Sequence, residues 1–137
     1  MTNLKCVIVV DPAQGTGAIA NTAAILSMSL GKRFPDLIGD PLVDGDGDVH
    51  GGITTVPIPI LAAQGEALRT LREILKGHEA DLAVVDLIGA TRSTRSYGEY
   101  AEHMRATPPD RMEYVGLAMC GPAKLVNRFS GSLALLR

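Results

Sequence analysis

The chain has 137 residues, two cysteines, no tryptophan and a net charge of −2, enough for one α/β-sized domain over 1–137 that buries roughly two-thirds of its unfolded surface. No apolar run reaches the ~18 residues of a membrane span, and three Tyr and two Phe supply no stacking platform for single-stranded nucleic acid. Residues 1–91 carry six Lys/Arg against eleven Asp/Glu and residues 92–137 seven against four, which favours an anionic ligand near the later segment over nucleic acid, with scattered solvated charge as the plainer account.

Cys6 to Val10 is apolar and β-branched without alternation, the pattern of a strand buried on both faces. Asp11-Pro12 ends it, and Gly15-Thr-Gly17-Ala-Ile-Ala20 leads into a helix expected over Ala18 to Leu30, with Gly31 as its C-cap. The two glycines either open the helix N-terminus, whose free N–H groups attract anions, or simply form a flexible loop entering the helix. As a dinucleotide fingerprint the stretch fails, because four residues separate strand from first glycine and no acidic residue ends a second strand. This helix carries no charge from Ala18 to Leu30. Apolar side chains on more than one of its faces predict a homodimer, or else cover by the Phe34 to His50 segment.

Leu42 to His50 reads as a hairpin around an Asp-Gly turn. Asp44, Asp46 and Asp48 have the spacing of a calcium loop, but Val49 and Thr55 stand where it needs Gly and Glu. His50, His78 and His103 have no metal-ligand spacing, so no metal and no cofactor are expected. Ile53 to Leu61 reads as a strand in which Pro57 and Pro59 delete donors on one side, predicting an edge position with both nitrogens facing away from the sheet.

Gly65 to Lys76 is an amphipathic helix, and Leu82 to Ile88 an apolar strand whose one charge is Asp86. A carboxylate there lies at the exposed strand end or is hydrogen-bonded, which also makes it a catalytic candidate. In the polar loop that follows, Thr91, Arg92 and Arg95 have the chemistry to clamp a phosphate or carboxylate, or simply solvate the surface. Ser96-Tyr-Gly-Glu99 fits a capping box for a helix to about Arg105, with Tyr97, Tyr100 and Met104 on one inward face. Tyr114 to Met119 is the fourth strand. Cys120-Gly-Pro122 turns it into a short helix to about Phe129, and an apolar tail, Leu133 to Leu136, closes the chain. Cys6 and Cys120 read as free, buried thiols of a reducing cytoplasm, and the chain start lacks the pattern of a signal peptide. Cys120 is a second catalytic candidate through its place before a helix.

Gly121-Pro-Ala-Lys-Leu-Val-Asn-Arg-Phe-Ser-Gly131, with Leu133 and Leu135 after it, resembles the C-terminal signature of class II peptidyl-tRNA hydrolases. The whole chain resembles the uncharacterised bacterial domain of unknown function 2000 family more closely, through its Val-Val-Asp11 start, Leu-Gly-Lys-Arg33, Ile-Pro-Ile60, Thr-Arg-x-Tyr97 and Cys-Gly-Pro122. The hydrolase resemblance implies a three-layer α/β/α fold with a mixed four-stranded sheet in order 2-1-4-3, the last strand antiparallel. The hydrolase chemistry does not transfer. Ala18 stands where that class has its lysine, and Thr22 and Ile25 where it has Gln and His. Fold alone does not set function.

The expected site therefore lies at the strand ends, where ligands enter open α/β sheets. Its binding candidates are Asp11, Gly15, Gly17, Asn21, Thr91, Arg92, Arg95, Gly121 and Lys124, with Asp86 and Cys120 for any chemistry. A small anionic ligand, a hydrolase of aminoacyl-type substrates and an oligomeric interaction module are the three readings.

Overall fold

The apolar run after Lys5 forms β1 (Leu4–Val10), the central strand of a computed structural model that describes residues 3–137. From Cys6 onward β1 is fully buried, and its two faces feed different cores. Cys6, Ile8 and Val10 pack under α1 (Thr16–Arg33), while Val7 and Val9 pack under α2 (Gly65–Leu75) and α4 (Ala123–Ser130). The remaining elements are the ribbon β2 (Leu42–Val43) with β3 (Val49–His50), then β4 (Ile60–Ala62), β5 (Ala83–Ile88), α3 (Tyr97–Ala106), β6 (Tyr114–Pro122) and β7 (Ala134–Leu135).

The sheet has five strands, β5-β6-β1-β4-β7, instead of the four expected. β4 lies parallel to β1, whereas β6 runs antiparallel to both β1 and β5. The expected order 2-1-4-3 placed the proline-bearing strand outermost. That position belongs to β7, formed by the segment expected as a tail, which pairs Leu135 with Leu61 and Ala134 with Ala62. The prolines themselves precede the ladder. Pro59 contributes only its carbonyl, which accepts from Ile8 N at 3.0 Å, and Ile60, Leu61 and Ala62 keep the donors that two-sided pairing needs.

α1 runs three residues beyond Leu30, so Gly31 lies within it rather than capping it. The stop is Phe34, whose N–H donates to Leu30 O at 2.9 Å, and Pro35 disfavours helical backbone in the residue before it. The sheet takes Thr22, Leu26 and Leu30, which are buried. The open side carries Ala20, Asn21 and Ala24, with Met28 its one large apolar residue, 80% exposed. The broad apolar outer face expected of α1 is thus absent, because Ile19, Ala23 and Ile25 turn partly onto the sheet-side core. Tyr97 also departs from expectation. It is 89% exposed at the start of α3, and Tyr100 and Met104 alone turn inward.

The ribbon closes as its Asp-Gly pattern dictates. Asp44 Oδ1 accepts from Asp46 N and Asp48 N at 2.9 and 3.0 Å, and Gly47 adopts φ 90°, a region open to glycine. Asp44 Oδ2 lies 2.8 Å from His50 Nε2. Residues 40–51 are exposed throughout. Among the described residues, no helix is long and apolar enough to cross a membrane.

β6 meets α1 most tightly at Gly116. A Cβ there would lie 2.5 Å from Thr22 Cγ2, 3.1 Å from Leu26 Cδ1 and 3.2 Å from Val9 O. Gly116→Ala is therefore expected to lift α1 from the sheet and cost about 1–3 kcal/mol, as overpacked cores do. Urea denaturation checks this, with Gly15→Ala, where nothing lies within 4 Å, as the unstrained control.

Candidate functional site

Asp11 to Gln14 turns the chain from β1 into α1. Asp11 N donates to Val115 O at 3.0 Å, and Asp11 Oδ1 accepts from Ala13 N at 2.9 Å, an Asx turn that sets the loop. Gln14 then bridges three elements. Its Nε2 donates to Asp11 O at 3.1 Å and Val115 O at 2.9 Å, and its Oε1 accepts from Thr22 Oγ1 at 3.2 Å and from Arg92 Nη2. Arg92 Nη2 also reaches Thr22 Oγ1 at 3.4 Å and Ala18 O at 3.5 Å. Thr22 is fully buried, and these partners satisfy its hydroxyl.

Arg92 ends a short 3-10 turn, Gly89–Arg92, that continues β5. Thr94 Oγ1 and Ser93 Oγ both donate to Ala90 O, at 2.8 and 3.2 Å, and tighten the turn. Ser96 Oγ accepts from Glu99 N at 3.1 Å and starts α3, as the capping pattern implies. Tyr100 reaches back from α3, its hydroxyl accepting from Ile88 N at 3.0 Å. Burial pushes the Tyr100 phenol above its ordinary range, which keeps it neutral in this role.

Between α1, this turn and α3 lies a crevice of about 330 Å3. Ile25, Leu87, Tyr97 and Tyr100 supply apolar walls, and Thr91, Thr94, Arg95 and Ser96 the polar ones. Thr91 and Arg95 thus line the crevice, while Arg92 turns to the start of α1, where it meets Ala18 O and Thr22 Oγ1. Gly15 and Gly17 are exposed in and just before its first turn, and Asn21, one turn from both Ala18 and Ile25, flanks the same helix face. Gln14, Thr22, Tyr97 and Tyr100 are the members that sequence reasoning missed as site residues. The turn-forming position of Gln14, three residues after Asp11 and beside the glycines, was the one available signal.

The other candidates lie elsewhere. The Asp11 carboxylate faces the start of α2: a Cβ on Gly65 would sit 3.6 Å from Asp11 Oδ2. Because β6 is antiparallel, Gly116 lies beside Val10, whereas Gly121 pairs with Lys5 at the opposite end of the sheet. Gly121 and Lys124 therefore do not join Arg92. Cys120 is 0% exposed, paired across the ladder with Cys6 and on its other side with Ala83. The hydrogen bond with Cys6 and burial both push its thiol up, so the expected nucleophile is a core residue. Both cysteines are free. Among the described residues, no three His, Cys, Asp or Glu side chains gather to hold a metal.

The architecture is that of a mixed α/β domain with helices on both sheet faces and a polar crevice at the end of its parallel strands. The chain belongs to the family described as protein of unknown function (DUF2000), whose model matches residues 4–137. It is similar to the solved structure of Atu0240, a protein of unknown function from Agrobacterium tumefaciens strain C58, with 21% identity, a TM-score of 0.90 and 98% of each chain covered. That likeness shows a shared fold. No relative among the curated proteins matches the chain.

Asp86 sits on the sheet face away from the crevice, in an ion pair. Arg72 Nε donates to its Oδ2 at 2.8 Å, and Arg72 Nη1 to Glu79 Oε1 at 2.8 Å. Burial works against the Arg72 charge, and Asp86 with Glu79 more than offsets this, holding the guanidinium above its ordinary value. Asp86 thus anchors α2 to the sheet. Asp86→Ala leaves Arg72 partly buried without its main partner, with an expected cost of about 1.5–3 kcal/mol. Urea denaturation measures this, and ligand binding in the crevice should be unchanged.

Proposed function

We propose that the protein binds a small organic anion in the crevice between α1 and the Gly89–Ser96 segment. The observation that carries this reading is the state of Arg95, which lines the crevice, and of Arg92, which adjoins it next to Thr91. Neither is paired with a carboxylate among the described residues. All three bonds of Arg92 use Nη2, so Nε and Nη1, on opposite sides of the guanidinium, each keep N–H groups to donate to a carboxylate or phosphate oxygen. Gln14 and Thr22 hold the guanidinium through neutral oxygens, which orient it without neutralising it. Ile25, Leu87 and Tyr100 favour a ligand with an apolar or aromatic body. The reading is of a binder, since Asp86 and Cys120 lie outside the crevice. Ala18 offers no cation at the start of α1, so no turnover of peptidyl-tRNA is expected.

NMR titration with benzoate, phenyl phosphate and inorganic phosphate tests the site. The aromatic anions should shift the amides of residues 91–97 more than phosphate does. Arg92→Ala should weaken their binding by about 1–3 kcal/mol, the worth of a charge-assisted hydrogen bond. Absence of any shift at these amides would overturn the reading.

A separate observation favours self-association through the ribbon. Val43, Val49 and Ile53 are 67%, 70% and 69% exposed, and residues 40–51 are exposed throughout. Leaving such surface in water costs about 25 cal/mol per Å². No Lys or Arg occurs between Arg33 and Arg69, while the ribbon turn carries three Asp. Residues 92–137 have the opposite sign, so a second copy offers the complementary surface, and a two-fold axis satisfies both ribbons at once. Light scattering should give twice the 14.4 kDa chain mass, and Val43→Asp with Val49→Asp should return it to the monomer value. A monomer mass for the unmodified chain would remove this reading.

A further inference from the structure

Across the Gly89–Arg92 turn from the crevice lies a second cavity, of about 250 Å3. The two are separated because the strand alternates: Leu87 lines the crevice, and Ile88 lines this cavity from the other core. Its floor is Ile88 to Ala90, and its far wall comes from the segment entering β6, held in place by Gly89 N donating to Glu113 O at 2.8 Å. Met112 and Tyr114 are buried, whereas Arg111, which ends the Pro109–Arg111 turn, and Glu113, which precedes β6, are exposed and both line the cavity.

The polar groups here divide sharply. Ser93 Oγ already donates to Ala90 O, Thr107 Oγ1 donates to His103 O at 2.7 Å, and His103 itself lines the wall from α3. Arg111 and Glu113 pair neither with each other nor with any other charged side chain among the described residues. One unpaired cation and one unpaired anion therefore share a single small cavity. Its volume is on the order of eight water molecules at ~30 Å3 each and falls below the ~300–1,000 Å3 of drug-sized and cofactor pockets.

We infer that this cavity binds a free amino acid, with Arg111 taking the α-carboxylate and Glu113 the α-ammonium. A zwitterion matches both charges at once, whereas a simple anion would meet Glu113 and a simple cation would meet Arg111. Discrimination then rests on like-charge opposition as much as on attraction. The bidentate geometry of arginine suits the carboxylate. This inference is independent of the anion crevice, whose lining residues it does not share.

The test is an NMR titration of the full chain with L-alanine and L-leucine, each compared with its N-acetyl form, which lacks the ammonium, and its amide, which lacks the carboxylate. The free amino acids should shift the amides of Gly89, Ser93 and Glu113 and leave those of residues 95–97 in place. Both blocked forms should bind at least ~10-fold more weakly, the effect of losing one charge-assisted pair. Glu113→Gln should erase the preference over the N-acetyl form, and Arg111→Gln the preference over the amide. Equal binding of free and blocked forms, or no shift with either free amino acid at millimolar concentration, would overturn the inference even if both variants failed to fold.

Discussion

The approach of α1 to β6 at Gly116 governs the rest of the molecule. No other residue leaves room for Thr22 Cγ2 and Leu26 Cδ1 at that depth. Once Thr22 is pressed onto the sheet its hydroxyl is buried, and a buried hydroxyl needs partners. Gln14 and Arg92 supply them. The same Gln14 bonds Val115 O, one residue before Gly116, so the backbone that allows the close approach also anchors the side chain that it requires. Packing and polar satisfaction therefore fix one geometry together, and Arg92 is delivered to the helix start as a consequence.

Strand direction decides what shares an end of the sheet. β1, β4 and β5 run the same way, so Val10, Ala62 and Ile88 finish at one end, beside the start of β6. The segment after β5 builds the crevice there with α1 and α3, at the strand ends where open α/β sheets generally bind ligands. β6 finishes at the other end, and α4 begins there with it. A signature of glycine, proline and lysine after the last strand can look like part of a strand-end site in sequence. Its reversed strand carries Gly121 and Lys124 away from Arg92.

The elements legible in the sequence were those with a period or a local rule. The unbroken apolar run of β1, the amphipathic α2, the Asp-Gly ribbon and the Ser96–Glu99 cap each depend on neighbours within a few residues. β4 and β7 depend on each other across 74 positions, Leu61 with Leu135, and strands of three and two residues are too short to show alternation. Gly31 looked like a helix end because glycine usually marks one, yet Phe34 before Pro35 held the stronger stop. The role of Asp86 stayed open for the same reason as β7. Its partner Arg72 lies fourteen positions away on α2, where a surface arginine and a buried anchor look alike in sequence. The crevice was half legible: arginines and hydroxyls stand out in a loop, whereas one glutamine in a turn does not.

The uneven charge of the chain acquires a physical meaning once partners are assigned. In the acidic first part, the cations are largely engaged. Arg72 holds Asp86 and Glu79, Lys76 holds Glu73 at 2.6 Å, Lys5 donates to Asn127 Oδ1 at 2.6 Å, and both Nε and Nη2 of Arg69 donate to Met112 O. Lys32 and Arg33 lie in the last turn of α1, where the helix dipole favours them. In the later part Arg105 pairs with Glu102, but Arg92, Arg95 and Arg111 meet no carboxylate among the described residues except the unpaired Glu113 near Arg111. Arg111 lines the cavity on one side of the Gly89–Arg92 turn and Arg95 the crevice on the other, with Arg92 ending the turn itself. A fold that uses its early cations to lock α2 and leaves its later ones facing open space concentrates positive potential on that turn. Such a field raises the local concentration of anionic groups before any contact is made, and the opposing Glu113 carboxylate confines the second cavity to ligands that bring an ammonium as well.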